Sequence, residues 1–213
     1  MNAIVSKVMS TVAGQLGKPH GLLGKGVVAR LLDRANLFMI EGAVAAADVT
    51  PGDVAGDLGF GGGVGISLLL DRVGPSGSVI GVELSRDMLE RAGSRFRGDI
   101  ATGRLRVQEG SLTELPLDDA SLDAVITLNT VYFVPELDRV CAELARVLRP
   151  KGRAVVGIGD PAAMARMPFT AHGFRLRPVA DVIAALENAG LTVEQRTLDR
   201  KPIPGHLLIA RHA

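Results

Sequence analysis

Short apolar runs alternate with amphipathic stretches from about residue 50 to the carboxyl end of this chain. Runs rich in Val, Ile and Leu are typical of buried strands, and apolar residues that recur about every three to four positions are typical of helices. The predicted strands cover residues 53–58, 78–83, 104–108, 122–128, 153–158, 191–198 and 206–211. The predicted helices between them are one that ends near Val73 and others over 85–96, 135–148 and 178–188. This alternation predicts an α/β fold in which helices cover both faces of a mostly parallel sheet.

The last two predicted strands are joined by a short connector, residues 199–205. Parallel strands need a crossover of a dozen or more residues, usually a helix. Because the connector has no room for such a helix, we expect these two strands to run antiparallel.

Two further helices are predicted before the first strand. Residues 1–16 carry apolar side chains at helical spacing, and so do residues 27–47. We expect residues 1–49 to form a helical cap over the ligand site and residues 50–213 to form the main domain.

Charge and composition narrow the classes of partner. The net charge is +1, basic and acidic residues are interspersed, and aromatic residues make up 3% of the chain. Few aromatic platforms and no basic bias disfavour nucleic acid as a partner. No membrane span is predicted, because the most apolar long stretch, 37–49, contains Glu41 and is too short. We expect a cytoplasmic monomer or homodimer without a metal site.

The chain has a single cysteine, Cys141, so an internal disulfide is excluded. This usage fits a reducing compartment. Cys141 falls in the apolar stripe of a predicted helix, which favours a core position over the role of a nucleophile.

A glycine-rich loop follows the first predicted strand and precedes a helix, and such units build nucleotide sites in α/β folds. Asp57, Gly59, Gly61 and Gly63 are spaced as D-x-G-x-G-x-G. The glycines allow positive φ and close approach of the backbone to a ligand. The dinucleotide fingerprint G-x-G-x-x-G fails at Val64, and Asp57 suits a ligand that carries positive charge. The alternative is a glycine-rich turn without a ligand.

Glu83 ends the second predicted strand, 24 positions after Gly59. In nucleotide-binding α/β folds, an acid at this place accepts hydrogen bonds from the ribose hydroxyls of an adenosine. The alternative interpretation is a solvated acid at the start of a helix.

These features form an ordered set with two others, the Leu115-Pro116-Leu117 segment before Asp123 and the V-L-R-P-K-G-R segment at 147–153. Together they resemble the class I S-adenosylmethionine-dependent methyltransferases of the methyltransferase-11 type, which includes ubiquinone and menaquinone biosynthesis enzymes. The resemblance covers residues 50–213. It implies a Rossmann-like fold with a seven-stranded sheet of order 3-2-1-4-5-7-6, whose seventh strand is antiparallel.

The resemblance also implies a reaction. The cofactor is S-adenosyl-L-methionine, the product is S-adenosyl-L-homocysteine, and the methyl group moves by in-line SN2 displacement to a small-molecule acceptor. The accepting atom, O, N or C, stays open. The residues that the resemblance places against the cofactor are Asp57, Gly59, Phe60, Gly61, Gly63, Glu83, Leu84, Gly110, Ser111 and Asn129.

Individual roles follow from the same resemblance. Asp57 and the loop backbone face the methionine portion, Glu83 takes the ribose hydroxyls, and Leu84 packs against adenine. Ser111 stands where many relatives carry an aspartate, and its hydroxyl is a weaker acceptor than a carboxylate. Asn129 lies beside the methyl group, or else is only a turn residue at a strand end.

Methyl transfer needs a general base only if the acceptor has to lose a proton early. His20, Tyr132 and His172 are the candidate catalytic residues. The alternative for each histidine is a place in a surface loop. Tyr132 and Phe133 are candidates to flank the methyl site, and core packing accounts equally well for Phe133.

Two other functional classes stay open. An NAD(P)-binding oxidoreductase is disfavoured by Val64 and by the helix-less pair of final strands. A catalytically silent, methyltransferase-like scaffold protein would keep the cofactor residues and lack turnover.

Overall fold

A computed structural model describes residues 27–167, 170, 173–199 and 203–213, with side chains from residue 36 onward. The strands are β1 Val54–Leu58, β2 Ser78–Glu83, β3 Leu105–Glu109, β4 Leu122–Leu128, β5 Leu148–Gly159, β6 Leu191–Leu198 and β7 Gly205–His212. The helices are α1 Val27–Ala47, α2 Val64–Val73, α3 Arg86–Arg95, α4 Arg97–Ala101, α5 Leu137–Val147, α6 Pro161–Met164 and α7 Val179–Asn188. A 3-10 turn covers Val131–Phe133.

The strands form one seven-stranded sheet of order β3-β2-β1-β4-β5-β7-β6. Strands β1 to β5 pair in parallel, and β7 runs antiparallel to both β5 and β6. The predicted order and the antiparallel last strand are confirmed. The chain moves outward from β1 to β3 and returns at β4, so the strand order reverses between β1 and β4. Ligands of open α/β sheets bind outside the carboxyl ends of the strands at such a switch point.

Two elements, β5 and α5, differ from their predicted bounds by more than one residue at an end. Strand β5 begins at Leu148, because Leu148 already pairs with Leu122 before an irregularity in the register. The helix predicted over 85–96 is confirmed as α3, with Ser85 and Phe96 as its capping residues, and the short helix α4 that follows it was not predicted. The helix predicted at 135–148 begins only at Leu137, after the 3-10 turn.

A hydrophobic core lies on each face of the sheet. One core packs beneath α5 and α7, and the other packs beneath α1, α2 and α3. The bounds predicted for α1 are confirmed. Its described side chains include Met39, Ala43 and Val44, which are buried with Val155 and Leu207 of the sheet.

Helix α1 also has a clear direction over the sheet. The sulfur of Met39 lies near Gly157, towards the carboxyl end of β5, whereas the carbonyl of Ala46 accepts a hydrogen bond from Arg153, nearer the start of that strand. The amino-terminal half of α1 therefore points towards the carboxyl edge of the sheet. Residues 1–26, the rest of the predicted cap, lie outside the described residues.

Within the described part of the chain, no helix combines the length and the apolar character that crossing a bilayer requires.

Cys141 lies on α5 with 1% of its surface exposed, so its predicted core position is confirmed. Burial, reinforced by the nearby charge of Asp138, raises the pKa of the Cys141 thiol to about 12. A thiol with this pKa is almost entirely protonated at neutral pH, and only the thiolate is a good nucleophile.

We therefore expect Cys141 to resist iodoacetamide in the folded protein. Mass spectrometry at pH 8 should find no adduct in native buffer and one adduct in concentrated urea, because the chain contains one cysteine. Equal labelling rates in the two buffers would contradict the burial of this side chain.

Candidate functional site

The glycine loop joins β1 to α2 and depends on backbone conformations that favour glycine. Gly59, Gly61 and Gly63 have φ values of 76°, 50° and 78°. A residue with a Cβ atom is disfavoured by about 1–2 kcal/mol in this left-handed region. A Cβ atom on Gly59 would also lie 2.4 Å from Cγ2 of Thr130, whereas one on Gly61 would meet nothing within 4 Å. The backbone at Gly61 therefore borders open space.

Asp57 lies in β1 beside this loop, and its side chain is buried, with 5% exposure. Its carboxylate lies against the first turn of α2, since a Cβ atom on Gly65 would be 2.3 Å from Oδ2 of Asp57. The amino-terminal end of a helix favours a negative charge. Gly65 thus makes room for the carboxylate, a role that was not predicted. The sequence does contain a pattern that could have identified Gly65, because this residue continues the spacing of the loop glycines at every second position.

Glu83 links β2 to the glycine loop. Its Oε2 accepts a hydrogen bond from the backbone N–H of Gly61 at 3.0 Å. Its Oε1 accepts hydrogen bonds from the N–H groups of Leu84 at 2.8 Å and Ser85 at 3.0 Å. The half-buried carboxylate is therefore held by three backbone donors, which differs from the solvated acid of the alternative interpretation.

Leu84 follows this acid with 46% of its surface exposed. Among the described side chains, Leu37 is the other large apolar residue that is exposed. An exposed leucine beside an acid presents an apolar surface to a flat ring, which is the role the resemblance implies for Leu84.

Gly110 and Ser111 lie at the end of β3, next to β2. A Cβ atom on Gly110 would be 2.6 Å from Cδ of Pro116, so only glycine fits there. The Ser111 hydroxyl lies 2.8 Å from Oγ1 of Thr113 and accepts a hydrogen bond from the Thr113 N–H at 3.2 Å. Any contact of Ser111 with an adenine amino group would have to share this hydroxyl with Thr113.

Asn129 follows β4 with φ of 57°, the left-handed conformation that asparagine tolerates better than most residues. Its N–H donates to the carbonyl of Gly157 at 2.8 Å. The backbone of Asn129 therefore makes the strand-end turn of the alternative interpretation, and a contact of its side chain with the cofactor stays a prediction.

Two predicted site residues have side chains in the core. The Phe60 ring is buried against Gly81 of β2, so this residue can offer a ligand only its backbone. Tyr132 is 2% exposed, and its hydroxyl oxygen accepts a hydrogen bond from the N–H of Gly159 at 2.5 Å. Burial raises the pKa of Tyr132 far above its usual value. These contacts favour a structural role for Tyr132 over the predicted role of a base.

The two candidate histidines, His20 and His172, lie outside the described residues. A third histidine, not singled out from the sequence, lies at the carboxyl edge of the sheet. Nε2 of buried His206 is 3.2 Å from Oδ2 of Asp160, and its Nδ1 is 3.2 Å from Nε2 of Gln195. The N–H of Ala163 and the imidazole of His206 both hold the pKa of Asp160 below its usual value.

No local sequence pattern predicts this pair, because Asp160 and His206 are 46 residues apart in the chain. Only the pairing of β5 with β7 brings them together. Asp160 caps the short helix α6 by accepting a hydrogen bond from Ala163 N–H at 2.8 Å, so the pair anchors the segment that follows β5.

Comparison with known proteins agrees with this geometry. A family model described as a methyltransferase domain matches residues 56–156. A demethylmenaquinone methyltransferase from Symbiobacterium thermophilum is 31% identical over 173 residues, which are 77% of this chain and 68% of the relative. An arsenite methyltransferase from Halobacterium salinarum is 36% identical over 143 residues, 66% of this chain and 36% of the relative.

The crystal structure of a SAM dependent methyltransferase from Aquifex aeolicus superimposes with a TM-score of 0.69 at 19% identity and covers 94% of this chain and 97% of that one. At this identity the likeness shows a shared fold. The chain spans less than two thirds of the length of most curated relatives it matches. The matched domain, the relatives and the sheet order together show that the chain belongs to the class I S-adenosylmethionine-dependent methyltransferase family.

Proposed function

We propose that this chain transfers a methyl group from S-adenosylmethionine to a small-molecule acceptor. The observation that carries the proposal is the hydrogen bond of 3.0 Å between Glu83 and the N–H of Gly61. This hydrogen bond joins Glu83, the proposed ligand of the ribose, to the glycine loop, which is proposed to bind the amino acid portion of the cofactor. Both lie at the carboxyl ends of the neighbouring strands β1 and β2. An adenosine that carries an amino acid needs both parts side by side.

The residues present fit this cofactor. Asp57 offers a negative charge for the methionine ammonium, and Gly61 leaves space for close backbone approach. Glu83 has a carboxylate with about four acceptor positions, of which three are used by backbone N–H groups, so one remains for a ribose hydroxyl. Exposed Leu84 suits the adenine ring.

The same residues argue against a dinucleotide. A pyrophosphate would approach the loop next to the buried carboxylate of Asp57, and two like charges at close range are unfavourable. This supports the methyltransferase proposal over the NAD(P)-dependent oxidoreductase.

S-adenosylmethionine, when bound, supplies a methyl group on a sulfonium that is already activated for displacement. The work left to the chain is to align donor and acceptor and to exclude water. Alignment of two reactants supplies on the order of 7–11 kcal/mol of barrier reduction. Asp57, the loop backbone and Glu83 would hold the donor, and Asn129 at the end of β4 would lie beside the methyl group. If the acceptor has to lose a proton, His20 and His172 are the proposed bases.

The acceptor wall is proposed to be apolar. The rings of Phe133 and Phe174 meet at 4.8 Å between centroids, and those of Tyr132 and Phe174 at 5.6 Å. Arg177 stabilises the segment that carries Tyr132 and Phe133, because its guanidinium donates to the carbonyls of Val131 and Val134, each at 2.6 Å. Tyr132 and Phe133 of this aromatic group follow β4, next to the switch point, whereas Phe174 follows β5 in the chain. The cap of residues 1–49 is proposed to close over the group.

Location and assembly complete the proposal. A cytoplasmic location is proposed, because a chain with a single cysteine cannot form an internal disulfide, which fits a reducing compartment. A monomer or a homodimer is proposed, which size-exclusion chromatography with light scattering would distinguish.

Calorimetric titration with S-adenosylmethionine, S-adenosylhomocysteine and NAD tests the proposed function. We expect micromolar binding of the two sulfur compounds and no heat with NAD. Binding of NAD alone would contradict the interpretation of the glycine loop and favour the NAD(P)-binding oxidoreductase. Binding of the sulfur compounds without turnover of demethylmenaquinone or arsenite, the acceptors that the names of two relatives give, would instead support the catalytically silent scaffold.

A further inference from the structure

We propose that Arg95 is a positioning residue that holds the glycine loop in the shape that binds the methionine portion of the cofactor. Arg95 ends α3, and no motif of the sequence singles it out. The inference rests on the proposed use of S-adenosylmethionine and adds a residue to that site.

The Arg95 guanidinium bridges the two ends of the loop-to-helix junction. Nη1 donates to the carbonyl of Gly62 at 2.8 Å, and Nη2 donates to Oγ of Ser67, in the first turns of α2, at 3.0 Å. The planar fork of arginine presents parallel donors in fixed geometry, so it fixes direction as well as distance. The guanidinium also lies 4.9 Å from the centroid of the Phe96 ring, which restrains it further.

The loop needs such restraint because Gly61, Gly62 and Gly63 are consecutive. Glycine loses more conformational freedom on folding than any other residue, so a run of three does not hold one shape by itself. The N–H of Gly63 donates to the carbonyl of Phe60 at 2.8 Å, which is a contact within the loop. The other restraints come from outside it.

Several of the outside restraints come from the β2–α3 unit. Gly59 N–H donates to the carbonyl of Val82 at 2.7 Å, and Gly61 N–H donates to Glu83. Gly63 packs on Phe96, since a Cβ atom there would be 2.9 Å from the ring. The unit that carries the ribose-binding acid thus also shapes the loop that faces the methionine portion.

Glu83 and Arg95 differ in one useful respect. Glu83 contacts the loop and is also the proposed ribose ligand, whereas Arg95 contacts the loop, Ser67 and the Phe96 ring. Loss of Arg95 should therefore weaken the binding of ligands whose amino acid portion contacts the loop. The binding of ligands that consist of the adenosine portion alone should change little. S-adenosylhomocysteine has the amino acid portion, and 5′-methylthioadenosine lacks it.

The test is calorimetry with both ligands on wild type, Arg95→Ala and Arg95→Lys. We expect Arg95→Ala to weaken S-adenosylhomocysteine by about tenfold and 5′-methylthioadenosine by less than about twofold, the size expected for one lost hydrogen-bonded bridge. Lysine keeps the positive charge but lacks the planar guanidinium, so Arg95→Lys should weaken the binding of S-adenosylhomocysteine by an intermediate amount. Arg97→Ala, an exposed arginine at the start of α4, is the matched control and should bind both ligands like wild type.

Hydrogen exchange of the ligand-free protein gives a second readout. Amides of the loop should exchange faster in Arg95→Ala than in Arg97→Ala, while the thermal midpoint stays near that of wild type, because Arg95 is exposed. Unchanged loop exchange together with equal loss of both ligands, or no loss of either, would overturn the inference. If wild type binds neither ligand, the proposed function fails as well, so the two failures are distinguishable.

Discussion

Replacement of Glu83 by alanine is expected to weaken the binding of S-adenosylhomocysteine by about a hundredfold or more. Hydrogen bonds to a charged group contribute about 1.5–3 kcal/mol each, and each 1.4 kcal/mol is tenfold in affinity, so the loss of the ribose contact alone reaches about tenfold to a hundredfold. Alanine also leaves the N–H of Gly61 without its acceptor, so the loop loses a restraint at the same time. Calorimetric titration measures the effect.

Two matched variants separate the roles of the Glu83 carboxylate. Glu83→Gln keeps one acceptor oxygen and loses the charge, so its affinity should fall between those of wild type and Glu83→Ala. Glu90→Ala removes the same charge from an exposed position on α3 and should leave affinity unchanged. An affinity of Glu83→Ala within about threefold of wild type, less than a single charged hydrogen bond contributes, would remove Glu83 from the site.

Gly65→Ala is the second substitution with a large expected effect. The new Cβ would lie 2.3 Å from Oδ2 of Asp57 and 2.9 Å from Cδ1 of Ile126, and both of these side chains are buried. Overpacking of this kind costs about 1–3 kcal/mol in the free energy of unfolding. Because the Asp57 carboxylate has to move from the start of α2, binding of S-adenosylhomocysteine should also weaken. Urea denaturation and calorimetry measure the two effects.

Gly93→Ala is the matched control for Gly65→Ala. Gly93 lies within α3, and a Cβ atom there would meet nothing within 4 Å. In a helix, alanine is favoured over glycine by about 0.5–1 kcal/mol, so this substitution should stabilise the protein and leave affinity unchanged. The two glycine substitutions therefore have opposite expected signs, and destabilisation by neither would show that Gly65 does not contact Asp57 closely.

Most of the fold was predictable because it depends on short-range signals. Strands β2, β4 and β6 and helix α1 have the predicted bounds, because apolar or β-branched residues within each element and turn or loop residues beside it mark it locally. The boundaries that failed depend on contacts elsewhere. Strand β5 extends back to Leu148 because Leu122 of β4 pairs with it, and no property of residues 148–152 by itself shows that partner.

The site divides in the same way. The places of the glycine loop and of Glu83 at the ends of β1 and β2 followed from the sequence, because strand ends and turn residues are marked locally. The structure disfavours the interpretation of Tyr132 as a base, because its hydroxyl is buried and accepts a hydrogen bond from the backbone N–H of Gly159, 27 residues away. The residues next to a tyrosine in the sequence do not indicate whether its hydroxyl is exposed to water or hydrogen-bonded to a buried backbone amide.

By itself, the sequence determined the order of strands and helices along the chain, the antiparallel final pair and the place of the glycine loop, where Gly59, Gly61 and Gly63 take positive φ. These follow from residue periodicity, connector length and the missing Cβ of glycine, which act within a few residues. Only the tertiary structure decided that Glu83 holds Gly61, that Arg95 holds Gly62 and that His206 meets Asp160. Those partners are 22, 33 and 46 residues apart, and their meeting depends on the register of the sheet and the packing of α3, which the whole chain sets together.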